Sequence, residues 1–128
     1  MGRELLRIGA PFRQPEWSAL ALTEGPEWVV QAHRNFIDAG AEVITTNSYA
    51  IVPFHIGDDR FASEGRELAA LSGRLAREAA AMYEGVTVAG SLPPLFGSYR
   101  PDLFDAAAAP AIIDPLISGL SDYVDVWL

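Results

Sequence analysis

The chain has 128 residues and a formal net charge of −8; half of its residues are hydrophobic, a fifth are charged, and none is cysteine. That is enough material for one globular domain with its own core, and its acidity argues against a nucleic-acid partner. The missing cysteines exclude disulfides, thiolate metal ligands and cysteine nucleophiles within these residues. No apolar run reaches the roughly 20 residues of a membrane helix. Met1-Gly2-Arg3-Glu4 lacks the apolar core of a signal peptide, so a soluble cytoplasmic protein is expected.

Glu4–Ile8 reads as a helical turn ending at Gly9, and Pro15–Leu20 as a short helix with proline near its start. Pro26 opens a longer helix. Val29, Val30, His33, Phe36 and Ile37 recur at three- and four-residue steps and make one buried stripe, and Gly40 suits the left-handed cap. Ala41–Thr46 is short, β-branched and free of a hairpin turn, as a buried parallel strand would be. A loop is expected from Asn47 to about Ala62. A long helix then runs from Ser63 to Glu84, with Leu68, Leu71, Leu75 and Ala79 on one face and Arg74 and Glu78 spaced for an ion pair. Gly85 stops it and Val86–Gly90 is a second strand. After a Pro/Gly-rich loop from Ser91 to Pro101, a third helix spans about Pro110–Leu120, with Pro115 able to bend it. Tyr123–Leu128 is a third strand.

Helices and strands thus alternate, which predicts β-α-β crossovers and a parallel sheet of the α/β class. Three such strands leave two open edges, and the last one ends at Leu128 without cover. The expectation is a piece of a larger parallel α/β barrel.

In parallel α/β proteins, ligand-binding groups gather at the C-terminal ends of the strands. The first such end, Thr45-Thr46-Asn47-Ser48-Tyr49, is rich in hydroxyl and amide groups. These can hold a polar ligand or simply satisfy the local backbone. At the second, Gly90-Ser91-Leu92-Pro93-Pro94, Gly90 permits close backbone approach and Ser91 offers a hydroxyl. Ser91 is not in a G-x-S-x-G setting and is not read as a nucleophile. His55, Asp58 and Asp59 lie close together in sequence, and a solvated loop describes them better than a metal site. His33, on the buried stripe, is expected to be a hydrogen-bonded structural histidine. Trp17 and Trp28 are expected as core or loop anchors, Trp17 also as a pocket wall, and Trp127 packs from the last strand.

With these segments placed, the chain resembles the homocysteine S-methyltransferase family, which includes betaine–homocysteine methyltransferase and the homocysteine domain of methionine synthase. The matching segments are Met1–Leu5, Pro15–Ser18, Ala32-His33-Arg34, Ala39–Tyr49 and Val88–Pro94, in the family's order, with Ala39–Tyr49 the most specific. The resemblance implies a (β/α)₈ barrel. Residues 1–128 would supply about strands 2 to 4 with their helices, as one incomplete domain without the first strand and the C-terminal half. It implies methyl transfer to homocysteine from a small-molecule donor, giving methionine. It further implies a zinc ion held by three cysteine thiolates, which this chain does not contain. By the same resemblance Thr46, Asn47, Ser48, Ser91 and Trp17 face the substrate. Met1-Gly2 matches the tail of the family's Asp-Gly-Gly-Met-Gly motif, whose Asp is absent here, as is the Glu that follows the fourth strand. The expectation is therefore an inactive fragment, with a self-associating or partner-docking half-barrel as the alternative and a homo-oligomer as one form of it.

Overall fold

The computed structural model describes all 128 residues. In chain order they form α1 (Gly2–Ile8), α2 (Leu20–Glu24), α3 (Pro26–Asp38), β1 (Val43–Thr45), α4 (Pro53–Ile56), α5 (Asp58–Ala80), β2 (Thr87–Gly90), a 3₁₀ turn (Pro101–Leu103), α6 (Ala109–Leu120) and β3 (Val126–Trp127). The strands pair in parallel in the order β1-β2-β3, with Ile44 opposite Val88, Thr45 opposite Ala89, and Ala89 opposite Val126. The expected parallel α/β arrangement is present as this small sheet.

Three local expectations differ from the structure. Residues 15–20 are not a helix. Arg13 and Trp17 form an isolated bridge around a tight turn, the Gln14–Pro15 peptide is cis, and the helix α2 begins only at Leu20. The expected loop 47–62 contains α4 and the first turn of α5. Pro53 starts α4 at a position where a missing N–H costs nothing, and Gly57 (φ 84°) turns the chain into α5. The ion pair forms between Arg60 and Glu64 (3.0 Å), whose i,i+4 spacing matches that of Arg74 and Glu78.

The helices α3, α5 and α6 form one layer, with α5 packed against both neighbours. Val29, Ala32, Leu68, Leu75, Ile112, Leu116 and Leu120 fill the main cluster. Ile37, Ala76 and Ala80 pack beneath Ile44 and Val88 of the sheet. Gly119 lets α6 reach the α5 backbone: a methyl group there would collide with the Arg66 carbonyl oxygen and lie 2.9 Å from the Ala69 methyl. Trp127 packs as expected. Its ring lies over Gly90, where any side chain would meet it at 2.7 Å. The other face of the sheet has no helix, and its register leaves Val43 51%, Val126 44% and Leu128 66% exposed. No helix is long and apolar enough to cross a membrane.

His33 is buried as expected, but its Nε2 has no hydrogen-bond partner, which corrects the expectation of a satisfied histidine. It lines a groove with Met1, Phe36, Ala41, Val43, Ile44 and Thr45 beside β1, and Phe36 is exposed there. Burial, helped by the Met1 amino group, lowers its pKa to about 4.

Two predictions follow from this packing. Gly119→Ala should lose about 1–3 kcal/mol, because the obstacle is backbone and cannot rotate away. This outweighs the helix propensity gained, and a lowered thermal midpoint by circular dichroism reports it. Between pH 6.5 and 4 the unfolded chain binds a proton at residue 33 that the folded chain refuses. The His33 contribution is therefore complete above pH 6.5 and falls by about 3 kcal/mol as pH drops towards 4. Urea midpoints across this window should fall in the parent and fall less steeply in His33→Leu, where the lowered pKa of His55 still contributes.

Candidate functional site

β1 and β2 end side by side, and the pairing runs one residue further as the Thr46 N–H donates to the Ala89 carbonyl (2.9 Å). Both chains then turn away, and polar side chains take over from the ladder. The Ser48 hydroxyl donates to the Ser91 carbonyl (2.6 Å), the Ser91 N–H donates to Thr46 Oγ1 (3.0 Å), and the two hydroxyls lie 2.8 Å apart. Ser48 has one proton and spends it on Ser91, so Thr46 must donate to Ser48. The ring has one proton order, and both hydroxyl protons are used within it. Its members Thr46 and Ser48 are buried.

Asn47, also buried, sends its Nδ2 to the Ser18 carbonyl at 2.8 Å, bridging 29 residues of sequence. This ties the rim to the turn that carries Trp17. Trp17 has a left-handed backbone (φ 52°) and is 44% exposed. Its indole meets Phe12 edge-on at 6.1 Å and His55 at 6.3 Å. The structure thus brings Thr46, Asn47, Ser48, Ser91 and the Trp17 turn into one connected rim. Of the polar groups there, the part-exposed Ser91 hydroxyl makes no hydrogen bond within the chain, whereas those of Thr46 and Ser48 and the Asn47 amide nitrogen are engaged.

His55 does not sit in a solvated loop. It is buried in α4 between Trp17 and Phe54, whose ring is 5.0 Å away. Burial lowers its pKa, partly offset by the Pro15 carbonyl. Asp58 and Asp59 occupy the exposed first turn of α5 instead. Pro53 and Gly57 were the available signals for this helix. Nothing in the local pattern marks Glu16, one of whose carboxylate oxygens is buried without a hydrogen bond, 3.9 Å from Arg13 Nε.

No group of three or more His, Asp and Glu side chains is placed to hold a metal ion, and there is no cysteine. The zinc that the resemblance implies does not fit the residues of this chain.

The class is that of a parallel α/β sheet with neutral polar groups gathered at its strand ends, the position at which proteins of this class bind ligands. The particular family follows from comparison. Residues 1–128 match the homocysteine S-methyltransferase family, and the chain belongs to it. It is 36% identical over 77 residues to homocysteine S-methyltransferase 1 of Zea mays, covering 59% of this chain and 24% of that protein. It is 35% identical over 72 residues to homocysteine S-methyltransferase 1 of Arabidopsis thaliana, covering 56% and 22%. It is also 36% identical over 84 residues to selenocysteine methyltransferase of Astragalus bisulcatus, covering 65% and 25%. The matched stretch is about a quarter of each relative's length. No solved structure matches the chain.

Thr46→Val should cost about 1–3 kcal/mol, because it strips the Ser91 N–H of its acceptor and Ser48 of its donor in a part-buried place. Thr46→Ser keeps both bonds and should recover most of the loss. Thermal melts of the two variants compare them directly.

Proposed function

We propose that residues 1–128 form part of the substrate-facing rim of an enzyme that transfers a methyl group to the sulfur of homocysteine, giving methionine. The observation that carries this reading is the family match over the whole chain, joined to a built rim at the strand ends. In this reading the 128 residues are one barrel domain's strands 2 to 4. The consecutive strand order, the single helix layer and the uncovered opposite face support closure into a (β/α)₈ barrel, whose interior would cover Val43, Val126 and Leu128. Ser91 Oγ and the Trp17 indole contact the ligand. Thr46 and Ser48 hold the Ser91 backbone in place.

Neutral hydroxyls and an indole recognise a substrate but do not ionise a thiol. A thiol of ordinary pKa, about 8.5, is mostly protonated at neutral pH. Its activation falls to groups that these residues do not contain, so the 128-residue chain alone turns over no homocysteine. A selenol acceptor is a second reading of the same rim, favoured by the selenocysteine methyltransferase match. The exposed sheet face favours a further one, in which the chain self-associates without catalysis.

The test is a chimera in which residues 1–128 replace the matching part of the Zea mays relative. Methionine should form from homocysteine. Ser91→Ala should raise KM by about 2–10-fold, the worth of one hydrogen bond. A folded but inactive chimera overturns the reading, and so does homocysteine methylation by the isolated chain. A defined dimer of the isolated chain in light scattering favours the self-associating form.

A further inference from the structure

Trp17 stands on a tight turn of the rim, with the isolated bridge to Arg13 as its only strand-like pairing. Its backbone is left-handed, a conformation that disfavours residues with a Cβ and needs outside support. Within the turn, the Trp17 N–H donates to the Arg13 carbonyl at 2.8 Å. Nearby, the Leu20 N–H donates to the Trp17 carbonyl at 3.4 Å and the Phe12 ring stands edge-on at 6.1 Å; two further supports are remote. The Asn47 amide grips the carbonyl of the very next residue, Ser18, from the end of β1. The His55 ring, buried in α4 and held by Phe54, stands edge-on to the indole.

We propose that Asn47 and His55 are positioning residues for Trp17, fixing its indole over the rim before a ligand arrives. This rests on the reading of Trp17 as a ligand wall, and it reassigns Asn47 from touching substrate to aiming the group that does. Asn47 is suited to this role because its donor is already committed to the backbone and its side chain is buried. His55 is suited because an edge-on ring restrains the indole's swing while leaving its outer face open to solvent. A preset wall adds affinity by removing the ordering cost that a mobile side chain would impose on binding.

Two measurements decide the matter. In the 128-residue chain with Trp28→Phe and Trp127→Phe, Trp17 is the sole indole. Its emission should show the high anisotropy of a restrained side chain. Asn47→Asp and His55→Ala should each lower that anisotropy and shift emission to the red, whereas His55→Phe, which keeps an edge-on ring, should not. A freely rotating Trp17 in the parent overturns the proposal before any variant is made, and unchanged emission in both folded variants overturns it as well. In the chimera, Asn47→Asp and His55→Ala should raise KM for whichever substrate Trp17→Ala affects, and should add nothing in the Trp17→Ala background. Full additivity there means that the two act elsewhere and overturns the proposal. An inactive chimera with a restrained Trp17 removes the methyl-transfer reading alone and leaves the positioning of Trp17 standing.

Discussion

Everything in this chain hangs on a parallel pairing of three short strands that are covered on one side only. Because β1, β2 and β3 lie in sequence order, the helices that connect them return over the same face, and α3, α5 and α6 meet as a single layer. Ile44 and Val88 point into that layer and are sealed. Their neighbours in the pleat point the other way, so Val43 and Val126 stay exposed although they belong to the same strands. Parallel sheets are ordinarily covered on both faces. A doubly wound sheet would have reversed its strand order to bring helices to the second face. Consecutive order keeps the helices of these residues on one face and leaves the other without one.

The same pairing creates the rim. Two parallel strands that stop in register release their last backbone groups at one place, and those groups need partners. Thr46, Ser48 and Ser91 supply them through a ring whose proton order is forced. The Thr46 and Ser48 hydroxyls at this position therefore serve the fold, and the Ser91 hydroxyl makes no bond within the chain. A buried polar network of this kind is stabilising only when complete. Replacing one of its members thus disturbs the geometry of the whole strand end.

Much of this was legible in the sequence because it is written in periodicity. The stripe on α3, the β-branched runs at residues 41–46 and 86–90, and the glycine stops locate the layers without reference to anything distant. What failed was written in short punctuation or in tertiary contacts. Pro15 reads as a helix opener, but the turn around it serves the Arg13–Trp17 bridge. His55 reads as polar, yet it is buried, with Trp17 from far earlier in the chain edge-on to its ring. Asn47 reads as a strand-end amide, and its Nδ2 bond to the Ser18 carbonyl, 29 residues away, has no local sign. No local pattern reports where a side-chain donor goes. His33 shows the converse: its burial was readable from the stripe, and its unpartnered Nε2 was not.

The chemistry open to the rim follows from what is neutral there. A general base must reach the proton it removes and titrate near the working pH. The rim hydroxyls bond to one another and to backbone, with no imidazole or carboxylate in the ring. His33 lies in the groove beside β1, outside the hydroxyl ring, and holds no proton near neutrality because its pKa is about 4. His55 is turned edge-on to two aromatic rings beneath Trp17. Neither histidine is coupled to a serine as an activated nucleophile would require. The ring of Thr46, Ser48 and Ser91 therefore holds neither a base nor an activated nucleophile.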